Sequence, residues 1–92
     1  MSGFATEMVE NLQDYVTGNR SQIASSEFCV CMDCRERFPP ESIEWFLNEG
    51  DGTAVCPKCG NDAVVGDASG LPISDPAFLD AVHRRWFSAG GL

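Results

Sequence analysis

The sequence predicts a small α+β protein, in which a ribbon of short strands is built around one metal ion and has an amphipathic helix on each side. Three observations lead to this fold class. Four of the five cysteines form two C-x-x-C pairs, an apolar stripe with helical spacing precedes them, and a second stripe follows them. A chain of 92 residues suits one domain, so we expect residues 1–92 to form a single unit.

The two cysteine pairs have the spacing of a metal site. Cys31 pairs with Cys34, Cys56 pairs with Cys59, and 21 residues (35–55) lie between the pairs, close to the spacing of ribbon-type zinc sites. Four thiolates complete the tetrahedral coordination of zinc, so these cysteines are the predicted ligands and Zn²⁺ is the predicted cofactor. Because no coordination position stays open, we expect the metal to stabilise the fold rather than to catalyse a reaction.

Residues 4–17 are predicted to form the N-terminal helix. Apolar residues recur there every four positions: Phe4, Met8, Leu12 and Val16. Gly18 and Asn19 tolerate positive φ and are expected to end the helix. The mostly polar residues 21–27 are predicted to be a linker.

Residues 28–65 are predicted to form the metal ribbon. Strands are expected at 35–38, 53–55 and 63–65, and residues 49–52 have the composition of a turn. Residues 41–47 are compatible with either a strand or a short helix. Gly60 directly follows the second pair and suits a tight turn whose N–H groups point at sulfur. Arg35 holds the equivalent position after the first pair, where it suits the turn less well.

Residues 75–88 are predicted to form the C-terminal helix. Asp75 or Ser74 is the expected N-cap, and Pro76 takes the first helical position. The apolar stripe of this helix contains five residues: Phe78, Leu79, Val82, Trp86 and Phe87. Gly90 and Gly91 are expected to end it.

The fifth cysteine and the single histidine are weaker candidates. Cys29 lies between Phe28 and Val30 and is expected to be a buried, inert thiol, although it could also replace Cys31 as a ligand, bridge a second metal or react as a free thiol. His83 lies at the edge of the C-terminal apolar stripe, so we expect packing or exposure rather than metal binding. With one histidine and scattered carboxylates, the sequence contains no catalytic constellation, and we expect no enzyme activity.

The net charge of −8 restricts the partners. It opposes binding to nucleic acid and to anionic membranes, and it suits a basic protein partner. Three of the six basic residues, Arg35, Arg37 and Lys58, lie at the cysteine pairs, where they are expected to offset the charge of the metal–thiolate centre. The odd number of cysteines, the absence of a signal-peptide pattern and the lack of a long apolar run predict a cytoplasmic protein.

The segment from Thr53 to Gly60, with its Cys-Pro-Lys-Cys-Gly motif, resembles the second half of a zinc ribbon. The longer run from Cys56 to Phe87 is similar to a group of small bacterial cytoplasmic proteins, and that resemblance covers residues 31–87. It implies a zinc-ribbon fold with Cys31, Cys34, Cys56 and Cys59 as ligands, and a cytoplasmic location. It implies no particular activity.

The Cys-Pro-Lys-Cys-Gly motif also resembles the second knuckle of rubredoxins, which implies iron and one-electron transfer. The first pair differs from that family, because Arg35-Glu36-Arg37 stands where rubredoxins have glycine and an aromatic residue. Three functions therefore remain open. The leading one is a protein-interaction module whose helices present the binding surface to a basic protein or to a second copy in a homodimer. The others are an iron electron carrier and a nucleic-acid-binding ribbon.

Overall fold

The computed structural model describes residue 4, residues 6–48 and residues 50–87. The α-helices are α1 (Thr6–Glu10), α2 (Gln13–Val16), α3 (Arg20–Ala24) and α4 (Pro76–Trp86). The strands are β1 (Cys29–Cys31), β2 (Arg37–Phe38), β3 (Phe46–Leu47), β4 (Thr53–Ala54) and β5 (Val64–Gly66). Two 3-10 turns cover Pro40–Ser42 and Asp67–Ser69. The architecture is therefore a small α+β fold, as the sequence predicts.

The single helix predicted over residues 4–17 is two helices, α1 and α2. The N–H of Leu12 donates to the carbonyl of Val9 at 3.4 Å, and the N–H of Asp14 donates to Asn11 at 3.0 Å, so tight i→i−3 bonds replace the α-helical ladder at this point. The break leaves Leu12 only 3% exposed in the core. Gly18 has φ 58° and follows α2, in agreement with the prediction that it ends the helical segment. Ala5 lies outside the described residues.

The linker predicted over residues 21–27 is wrong, because α3 covers its first half. Ile23 anchors this short helix and is 2% exposed. At its start, the backbone N–H and the hydroxyl of Ser21 both donate to the Asp51 carboxylate, which reaches the helix from the β3–β4 connection. These hydrogen bonds lower the pKa of Asp51. A helix N-terminus is thus satisfied by a side chain 30 positions away, which local sequence does not reveal.

Two antiparallel sheets form the strand layer. One has the order β2–β1–β5, in which Val30 of β1 lies opposite Arg37 and Val65, and the other is the β3–β4 hairpin. The observed strands differ from the predicted ranges by one or two residues at their ends. In the ambiguous segment 41–47, both alternatives are partly right, since the 3-10 turn at Pro40–Ser42 is followed by β3. The connection from β3 to β4 turns at Gly50 and Gly52, which both have positive φ, whereas Glu49 lies outside the described residues.

Helix α4 begins as predicted. The Asp75 carboxylate accepts a hydrogen bond from the N–H of Ala77 at 3.0 Å, and Pro76 is the first helical residue. Phe78 and Val82 carry the helix into the core and are fully buried. The helix ends at Trp86, with Phe87 as its C-cap, so it is shorter than the predicted range 75–88, whereas the stop predicted at residues 90–91 lies outside the described residues.

The N-terminal segment packs against α4. The Trp86 indole N–H donates to the carbonyl of Val9 at 2.7 Å, and the rings of Phe4 and Phe78 meet edge to face at 5.2 Å. Arg85 forms an exposed ion pair with Glu10. The two apolar stripes predicted from the sequence therefore contact each other.

The buried Asn19 side chain joins the helices to both sheets. Its Nδ2 donates to the carbonyls of Tyr15 at 3.0 Å and Val64 at 2.7 Å, and its Oδ1 accepts from the N–H of Ala54 at 3.1 Å. A buried polar group with all these bonds fixes the relative position of the parts that it connects. The residue predicted only as a helix stop thus links α2, β4 and β5.

Candidate metal centre

The fold brings the four predicted ligands into one cluster. The sulfur atoms of Cys31, Cys34, Cys56 and Cys59 all lie within 4.8 Å of one another. The Sγ atoms of Cys31 and Cys59 are 3.6 Å apart, and those of Cys34 and Cys56 are 3.7 Å apart. With zinc–sulfur bonds of about 2.3 Å, the edge of a regular tetrahedron is about 3.8 Å. The cluster could therefore hold a metal ion.

The second cysteine pair forms a closed turn around the sulfur of Cys56. The backbone N–H groups of Lys58 and Cys59 donate to this sulfur at 3.3 and 3.4 Å. The N–H of Gly60 donates to the Cys56 carbonyl at 3.0 Å, and the N–H of Cys56 donates to the carbonyl of Asn61 at 2.8 Å. Gly60 has φ 82°, so glycine meets the conformational requirement that the sequence predicts there.

The first pair repeats this turn position by position. The backbone N–H groups of Cys34 and Asp33 act to lower the pKa of Cys31, as those of Cys59 and Lys58 do for Cys56. The N–H of Arg35 donates to the Cys31 carbonyl at 2.8 Å, and the N–H of Cys31 donates to the Glu36 carbonyl at 3.1 Å. Arg35 has φ 66° and is the only non-glycine residue with positive φ in the described ranges. The two turns are equivalent knuckles.

Burial and backbone hydrogen bonds act in opposite directions on the thiols. Desolvation raises the pKa of Cys31 and of Cys34 above the usual range, although backbone N–H groups partly offset it. For Cys56, desolvation also raises the pKa, but the N–H groups of Cys59 and Lys58 outweigh it and leave the pKa lowered. A divalent cation would stabilise all of the thiolates, since a metal removes the proton from a coordinating thiol.

The cluster lies at the surface of the protein. Cys31 and Cys56 are buried, Cys34 is half-buried and Cys59 is exposed. Cys31 and Cys56 are 0% and 2% exposed, so the first cysteine of each knuckle is the enclosed one, and the Cys56 sulfur also receives two backbone N–H groups. A metal held here would be bound on its inner side by Cys31 and Cys56, and solvent would approach it from the side of Cys59.

Two contacts between the knuckles were not predicted from the sequence. The Asn61 amide donates to the Asp33 carboxylate at 2.9 Å, and the N–H of Met32 donates to the Ala63 carbonyl at 2.7 Å. Met32, the second residue of the first knuckle, is completely buried. The C-x-x-C motif predicts the turn itself but says nothing about what the two residues between the cysteines contact. The sequence therefore carries no signal for these two hydrogen bonds.

Two of the three basic residues near the knuckles have partners of their own. Arg35 forms an ion pair with Asp80 of α4 at 3.2 Å, and the Arg37 guanidinium lies 3.8 Å from the centre of the Phe28 ring. The expectation that they offset the charge of the metal centre stays a prediction. Lys58 is exposed within the second knuckle.

Cys29 and His83 lie outside the sulfur cluster found in the described chain. Cys29 is fully buried on β1, as expected, and burial, with the negative charges of Asp67 and Glu41, raises its pKa to about 11. A protonated, enclosed thiol is unreactive. His83 is partly buried, with Nε2 3.7 Å from the Asp33 carboxylate and its ring against Phe87.

A scan against protein-family models finds no match, and searches of the curated proteins and of the solved structures find none either. The similarity to zinc ribbons therefore rests on the four-cysteine cluster, and the resemblance to small bacterial proteins stays a prediction. In the part of the chain that the structure describes, no helix has the length and apolar character needed to cross a membrane.

Proposed function

We propose that this chain is a zinc-ribbon protein without enzymatic activity that acts by binding another protein. The observation that carries the proposal is the pair of equivalent knuckles, which place four sulfur atoms at the spacing of a tetrathiolate zinc site. Zinc bound this way has no free coordination position for a substrate or water. Its contribution is to folding, since zinc-binding free energy in small modules is also folding free energy.

The surroundings of the cluster support a binding role over a catalytic one. His83 faces the Asp33 carboxylate and the Phe87 ring, and in the described residues it forms no hydrogen bond with a cysteine or a hydroxyl group. The fifth thiol, Cys29, is enclosed and protonated. Without an activated nucleophile, the remaining polar side chains serve structure and surface recognition.

One observation favours an iron electron carrier as a second candidate. Cys59 is exposed, so a ligand sulfur borders the solvent, where a redox partner could approach it. Iron and zinc both accept four thiolates. The metal itself discriminates between the candidates, because iron–thiolate protein is red and zinc protein is colourless.

The proposed function is tested by capture with metal-loaded, tagged protein from nuclease-treated lysate, followed by reconstitution from purified components. The matched control is the same protein stripped by chelator. We expect a protein partner that binds the metal-loaded form directly and survives nuclease treatment. A capture that retains no specific protein, or that depends on nucleic acid, would contradict the proposal. A purified protein that only self-associates would assign the interaction to a homodimer.

A further inference from the structure

Trp45 is the one large apolar side chain that is strongly exposed in the described chain, at 67%. It directly precedes β3, and its carbonyl accepts a hydrogen bond from the N–H of Val55 at 3.0 Å, so the hairpin holds its backbone in place. Exposed single hydrophobic residues are common, but tryptophan is the residue most enriched at the centres of protein interfaces. Whether Trp45 marks a binding surface therefore depends on the residues around it.

The neighbours of Trp45 are also apolar. Trp45, Leu47 and Val55 line one open groove on the hairpin, and Gly60, Asn61 and Asp62 of the second knuckle form its other wall. Leu47 and Val55 are only half-buried. The groove has a volume of about 520 Å³, which is enough for several side chains of a peptide. The hairpin side of the groove is thus apolar, and its second wall adjoins the metal centre.

The hairpin also has a free edge in the described structure. β3 pairs with β4, and the far side of β4 is already used, because the N–H of Ala54 donates to Asn19. No described strand pairs with the outer side of β3. An extended segment added at such an edge places alternate side chains over the adjoining face. Here these side chains would lie next to Trp45 and Leu47.

The charge around the groove is negative. Glu44 precedes Trp45, Asp62 lines the groove, and both are exposed without a described ion pair. The five arginines are held elsewhere, in ion pairs or on aromatic rings. Because the whole chain also carries a net charge of −8, this surface favours a partner of positive charge.

We propose that this groove binds an extended basic segment of a partner protein, with an apolar side chain against Trp45 and lysine or arginine side chains beside Glu44 and Asp62. The inference rests on the proposed function and assigns its surface to the hairpin rather than to the helices. Because Gly60, Asn61 and Asp62 form one wall, the metal ion maintains the shape of the groove. Binding is therefore metal-dependent even though no peptide atom needs to reach the metal.

The test uses a random dodecapeptide library displayed on phage, selected on immobilised, zinc-loaded protein. We expect the enriched sequences to carry net positive charge and at least one large apolar residue. Trp45→Ala, which removes an exposed side chain and should leave the fold intact, is expected to weaken a selected peptide at least tenfold. Circular dichroism and zinc content of this variant show that its fold and metal are unchanged.

A charge comparison completes the test. The double variant Glu44→Gln/Asp62→Asn is expected to weaken the selected peptide several-fold, whereas Glu7→Gln/Glu27→Gln, with the same change in charge away from the groove, should not. Acidic consensus peptides, or peptides that bind Trp45→Ala as well as the parent protein, would overturn the groove while leaving the proposed interaction function standing. A library that yields no enriched peptide would overturn the groove, whereas the proposed interaction function is decided by the capture experiment.

Discussion

Arg35 and Gly60 occupy the same position in the two knuckles and share a left-handed backbone, with φ of 66° and 82°. In both, the N–H donates to the carbonyl of the first cysteine of the pair. Glycine adopts this conformation freely, whereas other residues are strained by about 1–2 kcal/mol. The second knuckle therefore has the favoured glycine at this position, whereas the first knuckle has a strained arginine.

This relationship predicts opposite effects of two substitutions. Gly60→Ala should lower the free energy of unfolding by about 1 kcal/mol, because the backbone is strained although nothing lies within 4 Å of the added methyl group. Arg35→Gly should raise it by up to about 1 kcal/mol, less the small contribution of the exposed pair with Asp80. Urea unfolding of the zinc-loaded variants measures both.

Gly70→Ala is the matched control for Gly60→Ala. Gly70 has φ 85°, and its added methyl group also meets nothing within 4 Å, but it lies outside the knuckles. Both variants should lose similar stability, and only Gly60→Ala should weaken zinc binding. Equal zinc affinity for the two variants would contradict the role given to the knuckle turn.

The ligand assignment predicts which cysteines the metal needs. Cys31→Ser and Cys59→Ser should lose zinc and destabilise the ribbon, since three remaining thiolates do not close the site. Cys29 lies two residues from Cys31 on the same strand but outside the sulfur cluster. The Cys29→Ser variant should therefore keep one zinc per chain. Metal analysis of the three purified variants gives the answer. Loss of zinc from Cys29→Ser with retention in Cys31→Ser would reverse the assignment.

The Asn19 side chain predicts a large effect from a residue far from the metal. Asn19→Ala leaves the buried carbonyl of Val64 and the buried N–H of Ala54 without their partner. We expect the free energy of unfolding to fall by about 2–4 kcal/mol, because each unsatisfied buried group costs about 1–3 kcal/mol. Exposed Gln13→Ala is the control and should change it little. Equal denaturation midpoints would contradict the linking role.

Zinc affinity should fall steeply as the pH decreases. Desolvation raises the pKa of Cys31 and Cys34, so without metal both are protonated at neutral pH and must release protons to bind zinc. At least two displaced protons predict a decrease of at least about a hundredfold in apparent affinity per pH unit. Competition with a chromophoric chelator at several pH values, corrected for protonation of the chelator, measures the slope. A flat profile would show that the thiols ionise before they bind.

The sequence predicts those parts of the molecule that depend on neighbouring residues. The cysteine turns and the Asp75 cap of α4 are local, because each is completed within about five positions. The start of α3 depends on Asp51, and the joining of the sheets depends on Asn19, and both involve partners 30 or more positions away. The spacing of apolar residues along the chain does not predict such long-range contacts.

The helix surfaces illustrate the same limit. Their apolar stripes are visible in the sequence, but the burial of each stripe residue is not, since Leu12 is buried whereas Phe87 is only half-buried. The hydrogen bond from the Trp86 indole to the Val9 carbonyl holds the two helical segments together, and helical periodicity does not predict it. Trp45 shows the same limit, since no pattern in the sequence indicates which of the large aromatic residues is exposed.

The central claim is that Cys31, Cys34, Cys56 and Cys59 hold one zinc ion on which the fold depends. Elemental analysis of the purified chain, read together with its visible absorbance, tests it most directly. We predict one zinc per chain and a colourless solution. A red protein with one iron would replace the zinc-ribbon proposal with the electron carrier, and a folded protein without any metal would contradict the account.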